Sequence, residues 1–339
     1  MDVTLTPFVT VVVPVRNEAA CIERTLTRLA GQQYDPNRFE IIVADGGSTD
    51  ATVPIVRRLQ AQHTNIRLFY NPKRLSSAAR NLGVRHGRGD IFVVIDGHCD
   101  IADPEYIAKA VSAFDRSGAD CLGRPQPLEI GNASPVQQAI AMARRSWLGH
   151  NPSSFIYSSR EQFVMASSVA VAYRRSVFEK VGLFDERFDA CEDVEFNTRI
   201  DAAGLKCYFT PMIAVHYYPR SSIKGLAYQM SRYGRGRLRL ADKHPRSLSI
   251  PAIAPMAFAV GMIACAVLSL AFPIFAAMLC LGVLAYAAVV GAATMALWWK
   301  PARLAAKVAL PAVFMAIHIG FAWGSAGEAV RRFARSFRH

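Results

Sequence analysis

No Asp, Glu, Lys or Arg occurs between Pro251 and Trp299, a run of 49 residues. Core helices of soluble proteins do not stay uncharged for so long, and a membrane crossing takes about 20 apolar residues. The run therefore has room for two crossings, about Pro251–Phe272 and Ile274–Leu297, with Pro273 a natural break between them. Val308–Gly327 is also free of those four residues and has room for a third. Paired cysteines are missing too. The seven cysteines are scattered, an odd number with no C-x-x-C and no secreted pattern, which argues for a reducing compartment. Cys99 and Cys191 lie near the candidate site, where small packing residues are the simpler reading. Met1–Thr10 lacks a basic, then long apolar start, so no signal peptide is expected. The first long apolar strand is not followed by G-x-G-x-x-G, which argues against a dinucleotide held on a glycine-rich phosphate loop.

Charge of one sign is in short supply. Lys and Arg number 39 against 26 acids, for a net charge of +13. Eight of the basic residues fall between Arg220 and Arg246, where Asp242 is the single acid. A basic stretch just before an apolar run suits the cytoplasmic leaflet. With no nucleic-acid-binding motif in the chain, a lipid or a diphosphate is the expected partner and nucleic acid is not.

The first 250 residues carry ordinary charge and read as one large α/β domain. Phe8–Pro14, Ile41–Ala44, Ile66–Tyr70 and Ile91–Ile95 read as buried strands. Helical patterns at Glu18–Gln32 and Ser76–Arg88, and a capped segment after Asp50, alternate with them, which predicts a mostly parallel sheet. Asp96 and His98 close the fourth strand. A carboxylate and an imidazole at the carboxyl end of such a strand project into the crevice where open α/β sheets bind ligands, and the pair suits Mn²⁺, or Mg²⁺. Glu18, Asp45 and Asp96 are expected to converge there, with the Glu192-Asp193 pair.

The blocks VTVVVPVRNE, EIIVADGGSTDAT, RNLGVRHGRGDIFVVIDGH and FDERFDACEDVEFNTRIDAAG occur in the order and spacing seen in family 2 glycosyltransferases. Over about residues 8–240 the chain resembles these inverting enzymes of the GT-A fold. The D-x-H form, the apolar tail and the tract His216-Tyr217-Tyr218-Pro219-Arg220 are similar to the membrane-anchored, succinoglycan-type subgroup. The resemblance implies that Asp45 contacts the nucleotide base, with the Pro14–Glu18 loop beside the nucleoside. It implies that Asp96 and His98 hold a metal on the sugar-nucleotide diphosphate, and that Asp193, paired with Glu192, is the general base. The family usually shows D-x-D, so His98 departs from its pattern. His216 is either a third metal ligand or a loop histidine. Arg80 either reaches the donor phosphates or is a surface helix arginine. Gln229-x-x-Arg232-Tyr233 resembles the Q-x-x-R-W signature of processive synthases, with Tyr233 replacing Trp, and would lie over the acceptor end and diphosphate. Gly234 and Gly236 suggest a mobile loop there; a basic juxtamembrane loop without a catalytic part is the alternative.

The expected organisation is a glycosyltransferase domain at 1–219, a basic juxtamembrane region at 220–250, two or three membrane helices at 251–327 and a basic tail at 328–339. Catalysis in the cytoplasm, at the inner membrane, puts the connector with Lys300, Arg303 and Lys307 inside, as charge bias requires. A third full crossing would leave Arg331, Arg332, Arg335 and Arg338 outside. Either the third segment is re-entrant or interfacial, or the tail overrides the bias; Pro311 and His318 favour an irregular, protein-packed helix. The expected activity is transfer of a hexose from a nucleotide-sugar, with UDP-sugars favoured, to a polyprenyl-linked acceptor. A processive polysaccharide synthase and a non-catalytic membrane scaffold are the competing readings; Asp45, Asp96 and Asp193, all present, speak against the scaffold.

Overall fold

The computed structural model describes residues 6–128, 133–150, 154–247 and 250–337, so Arg338 lies outside the described residues. The chain divides into two compact units: 1–128 with 153–218, and 129–152 with 219–339.

In the first unit the order is β1 (Val9–Val15), α1 (Ile22–Ala30), β2 (Phe39–Asp45), α2 (Thr52–Gln62), β3 (Ile66–Tyr70), α3 (Ser76–His86), β4 (Ile91–Val94), β5 (Cys99–Asp100), α4 (Tyr106–Ser117) and β6 (Cys121–Gly123). The chain then makes α5 (Pro135–Arg144) of the second unit. It returns for β7 (Gln162–Val164), β8 (Ala170–Arg174), α6 (Arg175–Val181), α7 (Glu192–Ala202), β9 (Cys207–Phe209) and β10 (His216–Tyr217).

The main sheet has the order β3-β2-β1-β4-β8-β6-β9-β7. β3, β2, β1 and β4 run parallel, as the alternation of strands and helices predicts, and β8 is antiparallel to both β4 and β6. β1 is buried on both faces, as a central parallel strand must be. Val11, Val13 and Val15 enter one core cluster and Val12 enters the other, with Phe92 and Tyr173. α3 lies so close to β1 that a β-carbon on Gly83 would fall 2.3 Å from Val12 Cγ1, so only glycine fits. The ends of β1, β2 and β4 meet at one edge. A separate β5–β10 ribbon pairs Cys99 with Tyr217 and Asp100 with His216.

The second unit contains α5, α8 (Ile223–Lys243), α9 (Ile250–Leu268), α10 (Pro273–Trp298) and α11 (Leu304–Ser336). Pro273 opens α10 at its first turn, where its missing N–H costs nothing. α10 and α11 are long and apolar enough to cross a membrane by length and composition, and α10 is almost wholly exposed.

Two local expectations are corrected. Gly234 and Gly236 are not in a mobile loop; both are buried inside α8. A β-carbon on Gly234 would fall 2.1 Å from Phe321 O, and one on Gly324 would fall 1.9 Å from Ser231 O. These glycines let α8 and α11 touch backbone to backbone, as small residues do between packed helices. The third apolar segment is not irregular but one continuous helix through Pro311. Packing along its length holds it: Leu310, Val313, Phe314 and Ile317 share a core cluster with Leu226 and Met230 of α8 and Ile140 of α5. His318 is fixed by Tyr286 Oη at 2.9 Å and Leu148 O at 3.1 Å.

Candidate active site

Hydrogen bonds weld the loops after β1 and β2 together. Asn17, at φ +56°, donates its N–H to Ser48 Oγ (2.9 Å) and accepts from Thr49 N–H (2.8 Å). Glu18 N–H donates to Thr52 Oγ1 (2.8 Å) and Ala19 N–H to an Asp50 carboxylate oxygen (3.1 Å). Asp45 is buried, and its carboxylate accepts from Gly47 N–H, Ser48 N–H and Ser48 Oγ. It therefore holds the shape of its own turn. Pro14 lies inside β1, and its carbonyl faces Gly97 N–H at 3.4 Å.

Asp96 follows β4 with its carboxylate 39% exposed. His98, two residues on, presents Nδ1 to Glu18 Oε1 at 2.9 Å and sets its ring edge-to-face against Tyr217 at 5.0 Å. Thr25 Oγ1 lies 3.0 Å from Gly97 O and 2.8 Å from Cys99 O, which ties this loop to α1. Among the described residues no three His, Cys, Asp or Glu side chains form a group that could hold a metal ion. His216 sits on β10 opposite Asp100. One carboxylate and one imidazole on a single loop are a donor set for a cation that completes its shell with substrate phosphates and water, and the residues fit such an ion.

Arg80 is the centre of the arrangement. It is buried on α3, not on the surface, with Nη2 3.3 Å from Glu192 Oε1 and 4.0 Å from Asp96 Oδ1. The guanidinium also lies over the Phe184 ring at 5.4 Å, while Nε has no partner. Burial alone would favour losing the proton; Glu192, then Asp193 and Asp96, outweigh it and hold the group above its ordinary value. Burial pushes the Glu192 carboxyl up, Arg80 opposes this, and the Asp193 charge pushes it further up. Glu192 and Asp193 open α7 and are not in a loop; Cys191 before them has φ +61°. Asp193 is half-exposed and accepts from Val194 N–H at 2.8 Å.

Several contributors escaped the sequence. Asn81 donates to Phe184 O (2.9 Å) and Glu186 Oε1 (2.8 Å) and accepts from Phe184 N–H (2.9 Å), which anchors the segment leading to Glu192. Arg74, at φ +56°, lies over the Asp45 turn: its Nε would stand 3.3 Å from a β-carbon on Gly47. The Arg16 side chain would meet one on Gly46 at 3.5 Å. Asn17, Arg74 and Cys191 are the positive-φ residues other than glycine among the described residues, and all three border the candidate site residues. Such strain collects at ligand sites. The Arg80-Asn81 dipeptide was the one available signal for this cluster. In the second unit, Gln229 Nε2 lies 3.3 Å from Tyr233 Oη, one turn apart on α8 near Arg232.

Residues 10–182 match the glycosyl transferase family 2 profile. The succinoglycan biosynthesis protein ExoA of Rhizobium meliloti is 33% identical over 255 residues, covering 73% of this chain and 76% of that one. A dolichyl N-acetyl-alpha-D-glucosaminyl phosphate 3-beta-D-2,3-diacetamido-2,3-dideoxy-beta-D-glucuronosyltransferase of Methanococcus voltae is 27% identical, covering 68% and 73%. Among solved structures, the mannosyltransferase PcManGT from Pyrobaculum calidifontis, in complex with GDP-Man and Mn²⁺, superposes with a TM-score of 0.59. At 21% identity over 96% of this chain and 88% of that one, it shows that the fold is shared. The sheet is thus of the GT-A kind, followed by C-terminal helices, and the relatives include proteins of polysaccharide and glycolipid synthesis. With a profile match over half its length and a relative 33% identical over 73% of it, the chain belongs to glycosyl transferase family 2.

Proposed function

We propose that this chain is an inverting, metal-dependent hexosyltransferase that moves a sugar from a nucleoside diphosphate sugar, a UDP-sugar by preference, to a polyprenyl-linked acceptor at the cytoplasmic face of the membrane. The observation that carries the reading is Arg80, one buried guanidinium spanning Asp96 and Glu192. It couples the carboxylate suited to the donor's diphosphate to the acid pair suited to the acceptor.

In this reading Asp96 and His98 hold Mn²⁺ or Mg²⁺, with His216 as the further candidate ligand. The cation would neutralise charge developing on the leaving diphosphate. The end of β1 from Pro14, the loop that follows it to Glu18, and the Asp45 turn would form the nucleoside side. Asp193 takes the proton of the acceptor hydroxyl, whose oxygen attacks the sugar's anomeric carbon opposite the diphosphate. A single displacement needs a single base, and the stereochemistry inverts. Glu192 is the poorer base because it is buried and held by Arg80, whereas Asp193 is half-exposed. Gln229, Arg232 and Tyr233 of α8 would meet the acceptor's diphosphate, and α10 and α11 would anchor the enzyme in the inner membrane.

The test is thermal stabilisation of the detergent-solubilised chain by UDP-, GDP- and dTDP-sugars, with and without Mn²⁺, since a ligand of the folded state raises the melting temperature. Metal-dependent stabilisation by one nucleotide class, retained in Asp193→Asn while transfer is abolished, is the expected result. Turnover at the wild-type rate in Asp193→Asn removes Asp193 from the mechanism. Stabilisation by no nucleotide-sugar overturns the donor assignment.

A further inference from the structure

The contact between Glu18 and His98 joins the loop after β1 to the loop after β4 across 80 residues of sequence. Glu18 Oε1 and His98 Nδ1 are 2.9 Å apart, and the two side chains are only 24% and 22% exposed. With the carboxylate as acceptor in this contact, the proton of the hydrogen bond is on Nδ1. In the neutral ring Nε2 then carries the lone pair. The surroundings hold the pair in place. Thr52 Oγ1 takes the Glu18 N–H at 2.8 Å, and the Tyr217 ring packs edge-to-face on the imidazole. Gly97 permits the approach, because a β-carbon there would lie 2.7 Å from Val15 Cγ1 and 3.5 Å from Glu18 Cγ.

We propose that Glu18 is a positioning residue for the divalent cation: its carboxylate holds the Nδ1 proton of His98, fixes the ring's tautomer and orientation, and makes Nε2 the atom offered to the metal. The inference rests on the metal reading above and changes the role expected of Glu18, from a neighbour of the nucleoside to a support of the metal ligand. Partners of this kind set which nitrogen of a histidine binds and raise its basicity. They also explain how an imidazole can stand where the family's usual second aspartate would be: a histidine at this position can use a carboxylate neighbour that would repel an aspartate.

The experiment uses the full chain in detergent with ¹⁵N-labelled histidine. Long-range ¹H–¹⁵N spectra of the metal-free protein, with the His98 signals assigned by their loss in His98→Asn, are expected to show the Nδ1–H tautomer. Glu18→Ala should move the ring to Nε2–H, the form favoured without a partner. Mn²⁺ affinity, read by electron paramagnetic resonance for Mn²⁺ alone and with UDP, should fall about 10–100-fold in Glu18→Ala. Glu18→Gln, whose amide oxygen can still accept the proton, should keep the tautomer and lose only several-fold. An Nε2–H tautomer in the wild type, or Mn²⁺ binding by Glu18→Ala as tight as the wild type's, overturns the inference while leaving the metal reading intact. Should Glu18→Ala not fold, the Gln variant decides, and binding equal to the wild type's overturns the inference. A wild type that binds no Mn²⁺ with or without UDP overturns the metal reading and this inference with it.

Discussion

A buried arginine that faces carboxylates is secured by them and secures them in turn. Arg80 lies within 3.3 Å of Glu192 and 4.0 Å of Asp96, so removing its charge would strand a buried Glu192 beside Asp193. Breaking a buried pair from one side costs about 3–5 kcal/mol. Arg80→Met should therefore lower the melting temperature and abolish transfer together, as thermal unfolding and product assay would read; a stable, active Arg80→Met would show that the guanidinium is dispensable. The sequence left Arg80 open between a phosphate contact and a surface position, and the reason is physical. The buried face of α3 is Ser77, Ala78, Ala79, Arg80, Asn81 and Gly83, small or polar residues that give no apolar periodicity. The carboxylates themselves were legible, because Asp45 and Asp96 close strands whose apolar runs are plain. Their partners were not. The Glu18–His98 contact depends on β1 lying beside β4, a neighbourhood set by topology and not by local pattern.

The apolar strands of the parallel half were legible; the 21-residue α8 was not. The four parallel strands stand where their apolar runs predict, shifted by a residue or two. The strands β5, β6, β7, β9 and β10 span only two or three residues each and carry no period to read. Glycine misled most. In α8 it reads as a break, yet Gly234 is buried against α11, because a helix that must touch another backbone has no room for a side chain. The contact can be tested within one helix. Gly324→Ala drives a methyl into Ser231 O, and overpacking of this sort costs about 1–3 kcal/mol. Gly327→Ala meets nothing within 4 Å and should be neutral or stabilising by up to about 1 kcal/mol, from helix propensity alone. Melting curves of the two variants in the same detergent should diverge in sign. Equal melting temperatures would mean that α8 and α11 are not held at this contact.

At the scale of the whole chain, the sequence reads as four consecutive regions, 1–219, 220–250, 251–327 and 328–339, with the whole catalytic domain before residue 220. The structure draws three crossings between units, at 128/129, 152/153 and 218/219. The excursion carries α5, whose Ala139, Ile140 and Ala143 are buried in one cluster with Leu226, Leu310 and Phe314 of α8 and α11. Nothing in the run from Glu129 to Pro152 announces this, because a ten-residue helix with an apolar stripe would pack equally well on the sheet that precedes it. These crossings decide how the protein can be dissected. A shortened chain ending at Tyr218 would be expected to behave as a soluble enzyme if the boundary were single. It keeps α5 but removes its partners, so the bared stripe should make it aggregate on expression. A version that also replaces 129–152 with a short polar linker should stay monomeric, as size-exclusion chromatography would read. Equal solubility of the two would show that α5 does not need the helices it is packed among. The chain passes between the units three times, so no single proteolytic nick can part the first unit from the second.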